Sequence, residues 1–347
     1  MKKIITIDSS TIYSALQKLQ DSSGTCLIVT DNKKKLLGTL SDGDVRRAIL
    51  RGKKLTEKVK DICRKKCLFV YKNSKNLASL ANLCKKENVE VIPIVDKKKK
   101  VVNYFSFKNL GTLNLNKEDT NLEVVIMAGG IGSRLKPLTN IVPKPLIPVQ
   151  DKTVIEKIIE KFYEQGFEKF ILSINYKSNI IKSFMKNLKP KFSYQFIEEK
   201  KKLGTAGSLY FLKDKKKKNY FIINCDTIID IEYLKLIDFH KRNKNDLTLV
   251  VSAKKFLVPY GSCKIKKNGE LLQLEEKPEH HHLVNTGLYI INSQLFNYIK
   301  KNQYLDFDNF VSIIKKKKKK IGLFPISESS WSDVGKWDEY KKFLEKF

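Results

Sequence analysis

At 347 residues the chain is too long for one ordinary domain and comfortable for two, each able to bury a sizeable apolar core. With 41% hydrophobic and 30% charged residues, 16 Gly and 9 Pro, the composition excludes a disordered or fibrous chain. The formal net charge of +31 invites a nucleic-acid reading, but only six of the 68 basic residues are Arg, the usual base reader.

Aromatic residues do not interleave with the lysine runs at 97–100, 215–218 and 315–320 as stacking platforms would, so these read as solvated loops. Nucleic acid is not expected as a partner. The charge instead raises the local concentration of anionic substrates such as nucleotides and sugar phosphates. The apolar start is broken at Asp8 and no run approaches the length of a membrane span, so no membrane is involved and a cytoplasmic protein is expected. The six cysteines lack paired spacing, and Cys63 and Cys67 have no partner pair, so neither a disulfide framework nor zinc is expected.

The first third contains an internal repeat at a 65-residue offset: CLIVTDNKKKLLGTLSDGD at 26–44 aligns without a gap on VIPIVDKKKKVVNYFSFKN at 91–109. Asp31 falls on Asp96, Lys33, Lys34 and Lys35 on Lys98, Lys99 and Lys100, and Ser41 on Ser106. Each copy reads as a strand, a charged hairpin turn, a second strand and the polar start of a helix. Helical patterns at 12–19 and 77–84 precede the two copies. One unit could not bury its sheet alone, so the pair is expected to pack together.

This arrangement resembles a pair of cystathionine-beta-synthase-type (CBS) repeats, whose sheet-to-helix junction the first copy matches as GTLSDGD. The resemblance implies a regulatory nucleotide held by Ser41 and Asp44, with the carboxylate accepting ribose hydroxyls and the hydroxyl and helix amides facing phosphate. Asp44 could equally cap a helix, and the repeats could serve only to assemble a homo-oligomer. In the second copy Asn103 replaces Gly38 and Asn109 replaces Asp44, which speaks against a ribose clamp there.

The polar, aperiodic stretch 111–121 reads as a linker, placing tandem repeats at 1–115 (about 1–55 and 56–115) and a second domain at 122–347. Beyond it, strand-like runs at 124–128, 170–174 and 220–225 alternate with helical ones such as 154–165. This predicts an α/β, Rossmann-like domain with a largely parallel central sheet and ligands at the carboxyl ends of its strands.

The first of these strands runs into AGGIGSRLKPLTNIVPKPLIPV at 128–149. Ala128, Gly129, Gly130 and Gly132 allow the backbone to aim its amides at an anion, and Arg134 and Lys144 supply cationic donors. Neither a Walker loop nor a dinucleotide fingerprint fits, because Pro137, Pro143, Pro145 and Pro148 forbid the long helix both require.

GG-x-G-x-RL-x-P-x-T followed by KPL-x-PV resembles the signature of the sugar-1-phosphate nucleotidyltransferases, and the likeness continues through the rest of the chain. It implies a GT-A type fold, with the base met near Gly204, Thr205 and Ala206 of LGTAGSL. It implies magnesium held by Asp226 of NCDT and Asp333 of WSDVG. It places the sugar against Tyr260, Gly261, Glu276, Asn285, Thr286 and Gly287, with Lys277 on the reacting phosphates. The consecutive His280, His281 and His282 cannot all face one ion.

The implied reaction is attack by a sugar-1-phosphate oxygen on the α-phosphorus of a nucleoside triphosphate, through alignment and charge neutralisation by Arg134, Lys144 and Lys277 and without a protein nucleophile. Repeats fused to a short transferase resemble guanylyltransferases of bacterial legionaminic acid pathways, which implies GTP and glucosamine-1-phosphate. Heptose- or mannose-1-phosphate, or a uridylyl or thymidylyl donor, are the alternatives. No hexapeptide repeats occur, so no appended acetyltransferase helix is expected. A non-enzyme alternative is a nucleotide sensor with a relic transferase domain.

Overall fold

The computed structural model describes residues 4–21, 26–72, 84, 87, 89–106, 121–188, 190–213 and 218–345. The linker at 111–120, the pattern at 77–83, Asn109 and the lysines at 215–217 lie outside them. The chain packs as two compact units, one of Met1–Asn114, Ser252–Val284 and Pro325–Ser329, the other of Leu115–Val251, Asn285–Phe324 and Ser330–Phe347.

In the first unit the 65-residue repeat folds as two copies of one small sheet. Ile5–Ile7 pairs parallel to Cys26–Thr30, which turns back antiparallel to Leu36–Ser41; Val70–Tyr71, Val91–Val95 and Val101–Ser106 repeat the pattern. The register is the same, Cys26 opposite Ser41 and Val91 opposite Ser106, with a bulge one pair before the turn in each. The turns explain the shared Asp-x-Lys-Lys-Lys sequence. Asp31 Oδ1 accepts from the amides of Lys33 and Lys35 at 2.9 and 2.8 Å, and Asp96 Oδ1 from those of Lys98 and Lys100 at the same distances. Lys34 and Lys99 take the left-handed position of their turns, φ 62° and 60°. The two turns interlock, Leu36 N donating to Lys99 O at 2.9 Å and Val101 N to Lys34 O at 3.0 Å.

Helices Ile12–Asp21 and Asp42–Leu50 bury one face against the first sheet, through Ile12, Ala15, Leu16, Leu19, Val45 and Ile49 over Leu27, Val29 and Leu40. Each fully buried aliphatic side chain there contributes roughly 1.5–3 kcal/mol. The same cluster takes in Ala253. Two hydrogen bonds extend the attachment within this unit: Arg46 Nε to Pro325 O at 2.9 Å, and Tyr13 OH to Glu328 Oε2 at 3.3 Å.

The second unit is built on a seven-stranded sheet in the order Ser193–Glu198, Lys169–Ile174, Glu123–Ala128, Asn219–Asn224, Glu279–Asn292, Leu247–Leu257, Ile321–Ser327. The first four run parallel, and Glu279–Asn292 pairs antiparallel to Asn219–Asn224. The three inner parallel strands are largely buried apolar runs, as expected where helices cover both faces, whereas the edge strand Ser193–Glu198 stays partly exposed. On one face Val125, Ile171, Ile222 and Tyr289 meet Phe307 and Phe310 of helix Phe307–Lys316. Elsewhere Phe162 of helix Val154–Tyr163 stacks on Tyr233 at 3.9 Å. A capping box of Thr153 and Glu156 starts helix Val154–Tyr163. The carboxyl ends of the parallel strands, at Ala128, Ile174, Glu198 and Asn224, deliver the loops that form the site.

Candidate active site

Beyond Ala128 the chain enters the glycine-rich loop, where the prolines leave only three short turns, Ser133–Leu135, Leu138–Asn140 and Lys144–Leu146. Gly132 sits at φ 70°, and a Cβ there would lie 2.8 Å from Thr139 Cγ2 and 3.2 Å from Lys144 Cβ, so only glycine permits this closure. Gly132 O accepts from Leu135 N at 3.0 Å and from Thr139 Oγ1 at 2.9 Å. Outside the loop, Lys177 Nζ donates to Ile141 O at 2.8 Å and Trp337 Nε1 to Lys136 O at 3.0 Å. Such bonds preorganise a loop before any ligand arrives.

Strand Asn219–Asn224 ends one turn before Asp226, and the short strand Thr227–Ile229 pairs antiparallel with Trp331–Asp333, setting Thr227 opposite Asp333. The pairing continues through Val334 N to Asp226 O at 2.9 Å, and Gly335 N donates to Asp333 Oδ1 at 2.8 Å. Gly335 is the floor of a charged cluster. A Cβ on it would press on Asp226 Oδ2 and lie 2.9 Å from Asp333 Oδ1 and 3.0 Å from Lys144 Nζ. Lys144 forms an ion pair with Asp226, the two side chains only 11% and 12% exposed, while the more open Arg134 stands 3.9 Å from the same oxygen.

The structure therefore brings Arg134, Lys144, Asp226 and Asp333 together. Burial pushes the thiol of neighbouring Cys225 up to about 12, which disqualifies it as a nucleophile near neutral pH. Among the described residues no group of three or more His, Cys, Asp or Glu is arranged to hold a metal. The donor set at Gly335 is two carboxylates, the hard-oxygen arrangement that suits magnesium shared with substrate phosphates. In the first unit His281 meets the ring of Tyr13 edge-on at 4.8 Å, and the rings of His280 and His282 lie 6.5 Å apart.

The turn at Gly204–Gly207 is tied to the segment before helix Phe307–Lys316. Gly204 has φ 77°, and a Cβ there would stand 2.6 Å from Leu305 O. Ala206 N and Gly207 N donate to Leu305 O at 2.9 and 3.1 Å, and Thr205 Oγ1 accepts from Phe307 N at 2.8 Å. The amide of Ala206 is thus already engaged.

Sequence reasoning missed Glu199. It is 5% exposed, accepts from Ser173 Oγ at 2.7 Å and Leu203 N at 3.1 Å, and burial raises its carboxyl above the usual range. A Cβ on Gly129 would lie 3.1 Å from Glu199 Oε1, so one buried carboxylate joins the glycine loop to the start of the Gly204 turn. The available signal was its place between a strand and a glycine turn; the neighbouring lysines disguised it as surface.

On the next strand Gly287, φ 84°, lets the side chain of Asn224 approach, and Gly287 N donates to Asn285 Oδ1 at 3.2 Å. Asn285 Nδ2 reaches Tyr289 OH at 2.8 Å. Thr286 is buried, its hydroxyl donating to Val250 O at 2.9 Å and its carbonyl accepting from Thr227 Oγ1 at 3.0 Å. Tyr260, Gly261, Glu276 and Lys277 belong to the first unit. There Tyr260 is exposed, a Cβ on Gly261 would lie 3.3 Å from Glu276 Oε2, and Lys277, at φ 47°, pairs with Glu276 at 3.9 Å.

Ser41 and Asp44 close a capping box on helix Asp42–Leu50, with Ser41 Oγ accepting from Asp44 N at 3.1 Å and Asp44 Oδ2 from Ser41 N at 2.9 Å; Arg47 pairs with Asp44. Among the described residues no helix is long and apolar enough to cross a membrane.

Residues 123–347 match the nucleotidyl transferase family and residues 1–51 the CBS domain. The chain is 29% identical over 224 residues to a D-glycero-alpha-D-manno-heptose 1-phosphate guanylyltransferase of Campylobacter jejuni, covering 64% of this chain and 99% of that protein. Its counterpart from Aneurinibacillus thermoaerophilus is 30% identical, with 64% and 96% covered. Among solved structures, HddC from Yersinia pseudotuberculosis superposes with a TM-score of 0.52 at 27% identity, over 65% of this chain and 99% of that one. A second HddC structure, complexed with GMP-PN, gives 0.51. With the glycine loop, the charged cluster on Gly335 and a family match over the whole second half in agreement, the chain belongs to the nucleotidyl transferase family, as an enzyme of the sugar-1-phosphate nucleotidyltransferase class preceded by a CBS domain.

Proposed function

We propose that the protein transfers a guanylyl group from GTP to a sugar 1-phosphate, giving a GDP-sugar and pyrophosphate, with magnesium as cofactor. The observation that carries this reading is the convergence of Lys144, Asp226 and Asp333 on Gly335 beside a preorganised glycine loop. GTP is supported by the guanylyltransferase names of the relatives. The acceptor we take is glucosamine 1-phosphate, on the likeness to repeat-fused guanylyltransferases; the relatives' names favour a heptose 1-phosphate as the second reading.

A phosphate oxygen of the sugar 1-phosphate forms a bond to the α-phosphorus while the bond from that phosphorus to the α–β bridging oxygen breaks, and pyrophosphate leaves with the electron pair. The attacking group is already anionic near neutral pH, so orientation and charge neutralisation are the chief requirements. Asp226 and Asp333 would hold magnesium, which would supply positive charge to the reacting phosphates. Arg134 neutralises the departing pyrophosphate, and Lys144 and Lys277 the α-phosphate and sugar phosphate. The Gly129–Gly132 amides orient the triphosphate, the turn at Gly204, Thr205 and Ala206 borders the base, and Tyr260, Gly261, Glu276, Asn285, Thr286 and Gly287 border the sugar.

The catalytic domain is 122–347 and the tandem repeats 1–115. We take the repeats as a regulatory nucleotide site at Ser41 and Asp44 in a cytoplasmic homo-oligomer; calorimetric titration of adenine and guanine nucleotides into the full chain, with sedimentation, tests both statements.

The test of the main reading is pyrophosphate release with magnesium, across four ribonucleotides and dTTP, each against glucose-, glucosamine-, N-acetylglucosamine-, mannose- and heptose-1-phosphates. Turnover with GTP and glucosamine 1-phosphate alone supports it in full. Another active pair keeps the enzyme and replaces the substrate, and silence throughout favours a nucleotide sensor.

A further inference from the structure

Lys144 occupies an unusual position for a residue assigned to phosphate. Its ammonium is paired with Asp226 Oδ2, and it shares with Asp226 and Asp333 Oδ1 the space over Gly335 that a Cβ there would fill. Its side chain is only 11% exposed, and that of Asp226 12%. Its Cβ is packed against Gly132, which fixes the root of the side chain in the glycine loop while leaving the rest of it to rotate. Arg134, 3.9 Å from the same carboxylate oxygen and 56% exposed, adds a second positive charge to that side of the cluster.

We infer that Lys144 is the resident counter-ion of Asp226 and, by holding that carboxylate, bars a divalent cation from the Asp226–Asp333 pair until a polyphosphate arrives to take the ammonium over. The inference rests on the reading of Asp226 and Asp333 as metal ligands. The physical reason is mutual exclusion. A doubly charged ion and an ammonium cannot share one carboxylate oxygen at contact distance in a site this sheltered, because their repulsion is poorly screened. Nor can the ammonium simply withdraw, since an unpaired charge at that depth loses both its partner and its hydration. A triphosphate in the glycine loop offers what the free protein lacks, an anionic oxygen within reach of a side chain rooted beside Gly132. When Lys144 swings to that oxygen, Asp226 is released to the metal. Metal and nucleotide therefore enter as one event, and the empty enzyme does not accumulate a bound cation.

The experiment measures Mn²⁺ binding to the full-length protein by the electron paramagnetic resonance signal of the free hexaaqua ion, with no sugar phosphate present. Wild-type protein is expected to bind Mn²⁺ weakly alone and, after the Mn²⁺ that GTP withdraws in protein-free buffer is subtracted, roughly tenfold or more tightly once GTP is added. Lys144→Met, similar in length and uncharged, is expected to bind Mn²⁺ alone roughly tenfold or more tightly than wild type, and Asp226→Asn in the Lys144→Met background to remove that gain. Circular dichroism and thermal melting establish that each variant folds. Should Lys144→Met not fold, the wild type decides: a melting temperature raised by magnesium with GTP, beyond the rise with GTP alone, and unmoved by millimolar magnesium alone supports the inference. Wild type binding Mn²⁺ alone as tightly as Lys144→Met, or a melting temperature raised by magnesium alone, overturns the counter-ion role while leaving the metal site standing. Mn²⁺ binding indifferent to Asp226→Asn overturns both the inference and the metal reading beneath it.

Discussion

Two polar clusters, each gathered where a strand gives way to a turn or helix, make an instructive pair. In the first repeat Ser41, Asp44 and Arg47 satisfy one another within a single helical turn. In the catalytic unit Lys144 and Asp226, 82 residues apart in sequence, are held together with Asp333 by a loop, a strand end and a two-stranded pairing. The first cluster is local chemistry that any helix start can assemble. The second requires the whole fold, crowds like and unlike charges over a glycine, and leaves Arg134 largely open to solvent. Long-range assembly of charges at the end of a parallel sheet supports the catalytic site proposed there, whereas the local closure at Ser41 and Asp44 is one that a nucleotide would have to open.

The strongest way to break the distinction is at the acidic pair. Asp226→Asn, or Arg134→Ala, is expected to lower turnover by about three orders of magnitude while melting and circular dichroism stay near wild type. Near-normal pyrophosphate release from either variant would remove the cluster from the chemistry. Gly335→Ala tests the floor: the added methyl collides with groups of Lys144, Asp226 and Asp333 at once. A fall of about a hundredfold in kcat/KM is expected, and kinetics unchanged by the methyl would mean the three groups need not converge there.

A third, buried polar group sharpens the comparison through pH. His240 is held against Thr248 at 2.8 Å, and burial pushes its imidazole from 6.5 down to about 4. The unfolded chain takes up a proton at this residue as pH falls below 6.5, and the folded chain does so only near 4. Its contribution is therefore complete above the unfolded value and is lost on acidification through the window between the two, by on the order of 2–3 kcal/mol. Chemical denaturation of wild type and His240→Gln across that range checks this: the variant should show the shallower loss, and parallel curves would refute the assignment. The smallest effect belongs to the local cluster. Ser41→Ala removes a cap and should cost about 1 kcal/mol in the same assay, and a loss several times larger would mean that Ser41 supports more than its own helix.

Much of this was legible in the sequence because it is periodic or local. The equivalence of Asp31 and Asp96 foretold two hairpins of identical register, and the apolar runs at 124–128, 170–174 and 220–225 became the buried parallel strands. The prolines after Gly132 foretold a loop without a long helix. What stayed hidden depends on which distant surface covers a residue. Gly335 reads as an ordinary turn glycine until Asp226 and Lys144 arrive over it. Glu199 sits in a run of charges that reads as solvated, yet the Ser173 hydroxyl and Leu203 amide bury it. Likewise nothing in the sequence links Arg46 to Pro325 or Tyr13 to Glu328, although these bonds and the packing of Ala253 group 252–284 and 325–329 with the repeats.

The interlocked turns of the repeat pair carry a consequence for solution conditions. The backbone bonds between them fix Lys33, Lys34 and Lys35 beside Lys97, Lys98, Lys99 and Lys100, while Asp31 and Asp96 face their own turn amides. Seven ammonium groups thus share one small surface with two carboxylates, a net excess of positive charge. At about 0.01 M salt the screening length is roughly 30 Å and each ammonium feels all the others; at about 0.1 M it shrinks to roughly 10 Å. The union of the two repeats is therefore expected to loosen as the buffer is diluted and to tighten with added electrolyte, opposite in sign to the surface ion pairs elsewhere on the protein.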